Sequence, residues 1–184
     1  MRIVGGKYRG RVFTPGKTFK ARPTTDMAKE SLFNVLQNSI DFESIKALDL
    51  FSGTGSISYE LASRGCTNVT AVEINLAHLQ FIKEVIEKLG EKNIRLVKSN
   101  VFVFAARIKE QFDLIFADPP YDHPKFAEVA DLIFNNNLLK PGGIFVLDYS
   151  GQFDYSSHSN FKELRRYGSV HFSLFEEGTN TSKA

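Results

Sequence analysis

After Asp41, short apolar runs alternate with amphipathic segments along most of the chain. The apolar runs predict strands at 45–50, 69–73, 94–97, 112–117 and 144–147. The segments between them predict a short helix ending near Arg64, a helix at 76–89, a short helix ending near 109 and a helix at 125–136. Repeated β-α units with apolar strands predict an α/β fold with a mostly parallel sheet and helices on both faces. Ligands of such sheets bind beyond the carboxyl ends of the strands, so the loops that follow the strands are the candidate functional segments.

The two ends of the chain depart from this alternation. Ile3-Val4 and Val12-Phe13, punctuated by glycines, predict two short strands in a β arm over residues 1–22. A helix is expected at 25–38, capped by Thr25 or Asp26, with a buried face made of Ala28, Leu32, Val35, Leu36 and Ser39. A turn at 140–143 is expected to precede the strand at 144–147, and segments 163–166 and 170–175 predict an antiparallel pair. We therefore divide the chain into an arm with the first helix, 1–40, and a Rossmann-like domain, 41–184.

Charge is distributed unevenly in a chain whose net charge is only +2. Residues 1–22 contain seven Lys and Arg and no acid, so this segment carries +7 and the remainder −5. A basic arm on a mildly acidic body predicts contact with a polyanion at one end of the molecule. A solvated basic tail explains the charge equally well.

The composition argues against several classes of protein. No run of the sequence approaches the roughly 18–20 apolar residues of a membrane span, and the first residues lack the apolar stretch of a secretion signal. A single Cys cannot form an internal disulfide, and the four scattered His have no partners at zinc-ligand spacing. We expect a monomeric cytoplasmic protein that uses no metal and does not contact a membrane.

The tetrapeptide Asp118-Pro119-Pro120-Tyr121 directly follows the predicted strand at 112–117. Two consecutive prolines fix φ and remove two amide donors, and the first favours an extended Asp118. The resulting stiff loop presents a carboxylate, free carbonyls and an aromatic ring. Such a loop can hold a flat nitrogenous group by stacking on its ring and accepting hydrogen bonds from its amine, although a capped Pro-Pro turn is the plainer interpretation of these residues alone.

A glycine-rich loop, Asp49-Leu50-Phe51-Ser52-Gly53-Thr54-Gly55-Ser56, follows the first predicted strand. Gly53 and Gly55 allow a tight turn and a close approach of the backbone to a ligand. Glu73 comes twenty residues after Gly53, at the end of the second predicted strand, where a carboxylate can accept hydrogen bonds from both hydroxyls of a ribose. Together, the loop and the acid predict a cofactor that contains a nucleoside.

Residue 58 helps to distinguish a dinucleotide cofactor from S-adenosyl-L-methionine. The third glycine of the dinucleotide fingerprint would fall there, and the chain has Ser58 instead, which disfavours a nicotinamide dinucleotide. S-adenosyl-L-methionine carries adenosine without a pyrophosphate and fits better, with Asp49 facing its methionine end. Asn100 and the amide of Val101, after the third strand, are placed to contact adenine, although Asn100 also suits a helix N-cap.

The chain resembles the class I S-adenosylmethionine methyltransferases that modify exocyclic amines. The resemblance lies in three features that occur in this order: Asp-x-Phe-x-Gly-x-Gly, an acid at the end of the second strand, and Asp-Pro-Pro-Tyr. Segments 2–11, 22–26 and 30–34 narrow the resemblance to RsmD-type enzymes, bacterial methyltransferases that act on guanine N2 in small-subunit (16S) ribosomal RNA. The resemblance covers most of residues 2–148, and Asn100 and Asp148 depart from it, since many class I members have Asp at the first position and the family more often has Glu at the second. It implies a seven-stranded sheet with an antiparallel C-terminal strand, and ribosomal RNA or the small ribosomal subunit as the partner.

The resemblance also implies roles for individual residues. The Asp118 carboxylate and the Pro119 carbonyl would accept the N–H bonds of the target amine, and Tyr121 would stack on the base. The implied cofactor-binding residues are Asp49, Phe51, Ser52, Gly53, Gly55, Glu73, Asn100, Val101 and Asp118. The implied RNA-binding residues are Lys7, Tyr8, Arg9, Arg11 and Arg22. No role is assigned to Asp148.

Three other functions remain open from the sequence. The first is methylation of another amine, adenine N6 or a protein glutamine, although DNA enzymes usually add a recognition module that about 40 residues of arm and first helix do not provide. A non-catalytic RNA-binding module would leave the intact glycine loop and Asp118 without a purpose. A nicotinamide oxidoreductase would leave Asp-Pro-Pro-Tyr unexplained.

Overall fold

The computed structural model describes residues 1–16, 25–149 and 153–178. Arg22, which the sequence suggested as an RNA-binding residue, lies outside these described residues. No helix in the described ranges has both the length and the hydropathy that crossing a bilayer would require.

The core of the fold is one seven-stranded sheet, which confirms the predicted α/β architecture. Its strands are β1 (Lys46–Leu50), β2 (Asn68–Glu73), β3 (Ile94–Lys98), β4 (Phe112–Ala117), β5 (Leu139–Tyr149), β6 (Phe161–Tyr167) and β7 (Val170–Glu176). They lie in the order β3-β2-β1-β4-β5-β7-β6. The first five strands pair in parallel, and β7 runs antiparallel to both β5 and β6. The order reverses between β1 and β4, so a ligand crevice is expected at the carboxyl ends of these strands.

In the described ranges, five α-helices connect or flank the strands: α1 (Asp26–Leu36), α2 (Ser56–Ser63), α3 (Leu76–Leu89), α4 (Val101–Arg107) and α5 (Val129–Asn135). Local capping defines several ends. The side chains of Thr25, Asn75 and Asn100 accept hydrogen bonds from the first backbone amides of α1, α3 and α4. Gly90 ends α3 in the left-handed conformation, as the sequence predicted.

Helices cover both faces of the sheet. On one face, α1, α2 and α3 bury a core that includes Phe33, Tyr59 and Ile82 against Phe116 and Phe172. On the other face, α4 and α5 bury Phe104 and Ile133 among others against strand residues of β1, β4, β5 and β7. Because both faces are covered, the carboxyl and amino edges of the parallel strands are the surfaces where loops meet.

The N-terminal arm differs from the prediction of two short strands. It forms a single antiparallel bridge between Arg2 and Val12, and a 3₁₀ turn at Gly6–Tyr8 makes its tip. Further backbone hydrogen bonds join Ile3 to Arg11 and Met1 to Phe13. The arm does not extend into a ladder because Val4 and Gly5 instead donate their amides to the carboxylate of Glu60 on α2.

Three other expectations are corrected in detail. Segment 140–143 lies inside β5 rather than before it, because Leu139 already pairs with Phe112, and a register shift absorbs the extra residues before Ile144 pairs with Leu114. The helix predicted at 125–136 begins as a 3₁₀ turn, Phe126–Glu128, and becomes α-helical only at α5. On α1, Lys29 and Phe33 are buried and Val35 is half-buried, because the helix turns its Lys29 side toward α2. Ser39, expected on the buried face, lies beyond the end of the helix at Leu36 and is exposed.

Candidate active site

A cavity of about 510 Å³ lies at the carboxyl edge of the sheet, where the strand order reverses. Its walls come from the loops after β1, β2, β3 and β4, the four segments that the sequence suggested as functional. The predicted site residues that line it are Phe51, Gly53, Glu73, Asn100, Val101, Asp118, Pro119 and Tyr121. The volume is within the range of about 300–1,000 Å³ that small-molecule sites occupy.

Glu73 is held rigidly at the end of β2. One carboxylate oxygen accepts hydrogen bonds from the amides of Ile74 and Asn75, both at 2.8 Å, and the other accepts from the amide of Gly53 at 2.8 Å. A carboxylate has about four acceptor positions and these three amides occupy three of them, so Glu73 retains one for a ligand's hydroxyl group. The acid therefore fixes the glycine loop and still faces the cavity.

Asp49 occupies a different position from the one expected. Its carboxylate accepts hydrogen bonds from the amide and hydroxyl of Ser58, at 3.1 and 2.6 Å, beneath the glycine loop. Burial raises the pKa of Asp49 to about 7, although the bonds from Ser58 oppose the shift. Asp49 is not among the residues that form the cavity wall, and neither are Ser52 and Gly55. Ser58, where a dinucleotide fold would have glycine, thus holds the carboxylate under the loop.

The loop after β1 has an unusual backbone. Phe51 has a φ of 57°, a left-handed conformation that costs a non-glycine residue roughly 1–2 kcal/mol. Its ring meets the ring of His123 edge-on at 5.8 Å, and His123 stacks on Phe102 at 5.4 Å. This aromatic cluster joins the β1 loop to the segment after Asp-Pro-Pro-Tyr and closes one side of the cavity.

Asp118 extends directly from the end of β4 into the cavity wall, and its amide donates to the carbonyl of Leu50 at 3.3 Å. Burial, followed by the nearby charges of Asp148 and Asp49, raises the pKa of Asp118 well above its ordinary value. A carboxyl group whose pKa is raised in a cleft is typical of a functional position, because burial and neighbouring like charges are arranged to shift pKa values at such sites.

Tyr121 lies at the mouth of the cavity with 36% of its surface exposed. Its hydroxyl donates to the Asp148 carboxylate at the end of β5, over 3.4 Å. Its ring meets Phe126 edge-on at 6.3 Å. The phenol is thereby held between two elements, and part of the residue is exposed at the mouth of the cavity.

Asn100 serves as the N-cap of α4, accepting from the amides of Phe102 and Val103 at 2.9 and 3.3 Å. It also lines the cavity, so the two roles considered for it from the sequence are compatible. Val101 is buried beside it and contributes to the same wall.

Three residues of the arm that the sequence suggested for RNA binding, Lys7, Tyr8 and Arg11, have their partners away from this edge. Lys7 forms an ion pair with Glu91 at 2.9 Å, the Tyr8 hydroxyl donates to the same carboxylate, and Arg11 donates to the carbonyl of Lys88. Glu91 and Lys88 belong to the turn between α3 and β3, at the amino edge of the sheet. Lys7, Tyr8 and Arg11, suggested for RNA binding, therefore lie at the edge of the sheet opposite the cavity.

Several residues of the cavity were missed by the sequence analysis. They are Val72, Ile74, Asn75, His78, Asp122 and His123. Ile74 carries a detectable signal: it is an apolar residue directly after a strand-end acid, and it is 59% exposed in the structure. No local signal identifies His78 or His123, because helix packing and loop conformation bring them to the cavity.

The fold and the site together define a class I methyltransferase. The fold contributes the strand order and the antiparallel β7. The site is a cavity at the carboxyl edge, which is lined both by the acid at the end of β2 and by Asp-Pro-Pro-Tyr after β4. Comparisons with known proteins narrow this class. A family model described as Conserved hypothetical protein 95 matches residues 1–176. The ribosomal RNA small subunit methyltransferase D of Escherichia coli K12 is 33% identical over 148 residues, which cover 80% of this chain and 74% of that one. The chain belongs to this family, the RsmD-type methyltransferases.

Two solved structures agree with the assignment. A hypothetical protein of Thermus thermophilus is 28% identical, has a TM-score of 0.85, and the match covers 96% of this chain and 99% of that chain. A Thermus thermophilus 16S rRNA N2-guanine methyltransferase (RsmC), in complex with AdoMet and guanosine, is 26% identical with a TM-score of 0.66. That match covers 86% of this chain and 45% of the larger protein.

Proposed function

We propose that this protein transfers a methyl group from S-adenosyl-L-methionine to the exocyclic N2 amine of a guanine in small-subunit (16S) ribosomal RNA, acting in the cytoplasm. The observation that carries the proposal is that Asp118, Pro119 and Tyr121 share one cavity with Glu73 and Asn100. Two ligands can therefore meet there, one beside the acid of β2 and one beside the proline-stiffened loop. The relative that was solved with AdoMet and guanosine, a 16S rRNA N2 methyltransferase, supports this pair of ligands.

The residues present suit S-adenosylmethionine. Glu73 retains one acceptor position for a ribose hydroxyl, Asn100 and Val101 line the wall expected to contact adenine, and Gly53 allows the backbone to come close. When bound, the cofactor supplies an electrophilic methyl group on a sulfonium. The remaining steps depend on how the chain's own residues hold the amine.

The N2 amine of guanine is a poor nucleophile because its lone pair is delocalised into the ring. The Asp118 carboxylate and the Pro119 carbonyl accept its two N–H bonds and favour a pyramidal nitrogen. These oxygens also stabilise the positive charge that develops on nitrogen as the N–C bond forms. Tyr121 stacks on the base and fixes its plane, which aligns the nitrogen with the methyl group.

The product amine has to lose one proton, which passes to the Asp118 carboxylate or to water. The growing positive charge next to Asp118 favours the ionised carboxylate, and this opposes the effect of burial on its pKa. A paired guanine cannot present N2 to this loop, so the target base must be unstacked or lie in an RNA loop.

The decisive experiment is methyl transfer from labelled S-adenosylmethionine to small ribosomal subunits, with naked 16S rRNA as a second substrate, followed by nucleoside analysis. We expect N2-methylguanosine. Asp118→Ala is expected to lose at least ~10²-fold in turnover, the loss typical of removing one stabilising group from a transition state. Binding of S-adenosylhomocysteine should be retained, and Asp131→Ala, an exposed carboxylate on α5, is the matched control. A product of N6-methyladenosine or of methylated protein would refute the proposed substrate, and near-normal turnover of Asp118→Ala would refute the mechanism.

A further inference from the structure

The tip of the N-terminal arm lies at the amino edge of the sheet. The amide of Tyr8 donates to Ser63 Oγ at 2.9 Å, and the Tyr8 hydroxyl donates to Glu91 Oε2 at 2.9 Å. Ser63 ends α2 and Glu91 follows α3, and both helices run from the carboxyl edge back to the amino edge. The tip is therefore on the side of the molecule opposite the cavity.

The tip and the turn between α3 and β3 form one continuous surface. Lys7 pairs with Glu91 at 2.9 Å, while the other oxygen of Glu91 accepts from the amides of Lys92 and Asn93. The Arg11 guanidinium donates to the carbonyl of Lys88 at 3.3 Å. Because the side chain of Glu91 is only 2% exposed, its charge is enclosed by these donors and contributes little to the surface potential.

This surface is strongly basic. Residues 7–11 and 88–92 together contain five Lys and Arg and one acid, the enclosed Glu91. The side chains of Arg9, Arg11, Lys88 and Lys92 are exposed on it, and we call these four residues the basic corner. Lys7 and Tyr8 attach the tip to Glu91, whereas the four residues of the basic corner are exposed to solvent.

The basic corner is too far from the cavity to touch the nucleotide that is methylated. The two edges are separated by at least the length of β1, whose five residues span about 17 Å. Stacked nucleotides advance by on the order of 3 Å each, so an RNA that reaches both sites must extend over at least about five nucleotides.

We propose that the basic corner binds phosphates of the substrate RNA that lie at least about five nucleotides from the target guanine. This inference rests on the proposed function. It makes affinity depend on RNA beyond the target guanine and its immediate neighbours, which are the nucleotides that reach the cavity. Charge complementarity identifies the occupant, because four exposed cations on a rigid surface match a phosphate backbone.

The test compares two triple variants with the same change in charge. The first is Arg9→Gln/Lys88→Gln/Lys92→Gln, and the control, with exposed cations elsewhere, is Lys83→Gln/Arg107→Gln/Lys109→Gln. Affinity for 16S rRNA is measured by filter binding over a range of salt concentrations. The first variant should bind at least ~10-fold more weakly than the control, and its slope of log K against log salt should be smaller by about 2–3.

Steady-state methylation provides an independent measurement. With 16S rRNA or small subunits, the first variant should show a raised KM and an unchanged kcat, because the basic corner is remote from the cavity. A binding slope and a KM equal to those of the control would overturn the inference while leaving the proposed function intact. Conversely, RNA binding that depends on the basic corner without any methyl transfer would refute the proposed function and keep the docking surface. Thermal melts of both triple variants that match the wild type would exclude misfolding as the cause, and Lys92→Glu alone should weaken RNA binding in the same direction.

Discussion

The backbone amide of Gly53 donates a 2.8 Å hydrogen bond to the carboxylate of Glu73, which ties the loop after β1 to the end of β2. The same carboxylate accepts the amides of Ile74 and Asn75, so one side chain organises two of the four loops around the cavity. A single acid thus serves both the conformation of the site and the binding of its ligand.

Glu73→Gln is expected to weaken the binding of S-adenosylhomocysteine about 10- to 100-fold, because hydrogen bonds to a charged group contribute roughly 1.5–3 kcal/mol. The kcat at saturating cofactor should change little. Isothermal titration calorimetry and steady-state methylation measure the two quantities, and Glu84→Gln on the exposed side of α3 is the control. Unchanged affinity would show that Glu73 has only a structural role.

The raised pKa of Asp118 leads us to expect that methyl transfer depends on pH. Burial first, and then the charges of Asp148 on β5 and Asp49 on β1, raise the pKa of this carboxyl group, while the Tyr121 hydroxyl bonds to Asp148. If the ionised Asp118 carboxylate accepts a hydrogen bond from the target amine, kcat/KM falls as the pH is lowered through the raised pKa of Asp118. Asp148→Asn removes one neighbouring negative charge, so the acid limb of the profile should move to lower pH.

The measurement is kcat/KM for methyl transfer across the acid and neutral pH range in the wild type, Asp148→Asn and the exposed control Glu128→Gln. An acid limb at the same pH in all three proteins would mean that Asp118 is not the group that titrates.

Gly55 and Gly90 offer a matched pair of substitutions. Both have left-handed backbones, with φ of 77° and 65°. A Cβ at Gly55 would lie 2.6 Å from the Tyr59 hydroxyl, whereas a Cβ at Gly90 would have no atom within 4 Å. Gly90→Ala should therefore cost only the roughly 1–2 kcal/mol of a left-handed residue, and Gly55→Ala about 1–3 kcal/mol more, from overpacking.

Urea unfolding measures both free energies. Tyr59→Phe provides the internal control, because the described structure gives the buried Tyr59 hydroxyl no hydrogen-bond partner. This substitution alone should be neutral or slightly stabilising, and it should recover part of the loss in Gly55→Ala. Equal losses for the two alanine variants would contradict the close contact.

The buried ion pair between Lys29 and Glu60, at 3.4 Å, is expected to hold the arm on the domain. Glu60 also accepts the amides of Val4 and Gly5, and Lys29 donates to the carbonyl of Arg2 and to Ser56. Glu60→Ala leaves the Lys29 ammonium buried without its counter-ion, so the free energy of unfolding should fall by about 3–5 kcal/mol.

Limited proteolysis should then cleave the arm faster in Glu60→Ala than in the wild type. Lys46→Ala, which breaks the half-exposed pair with Glu110, is the control and should cost less than about 1 kcal/mol. A loss of similar size in both variants would argue against a special role for the buried pair.

Local sequence determined much of this protein. The apolar runs specified the strands because parallel strands covered on both faces need continuous apolar sequence. Gly90, Asn100 and Thr25 specified helix ends because a cap depends only on neighbouring residues. The spacing from Gly53 to Glu73 and the stiffness of Asp118-Pro119-Pro120-Tyr121 likewise depend on short segments, so the candidate site could be suggested before the structure was available.

The tertiary structure alone decided how distant residues pair. Lys7 and Glu91 are far apart in the sequence, as are Lys29 and Glu60, and no local pattern relates the members of either pair. Nor could the sequence show that Tyr121 would bond to Asp148, that Ser58 would hold Asp49 beneath the loop, or that Lys7 and Arg11 would contact the turn after α3. A hydrogen bond or ion pair between distant residues forms only where packing brings its partners together, and packing depends on the whole chain at once.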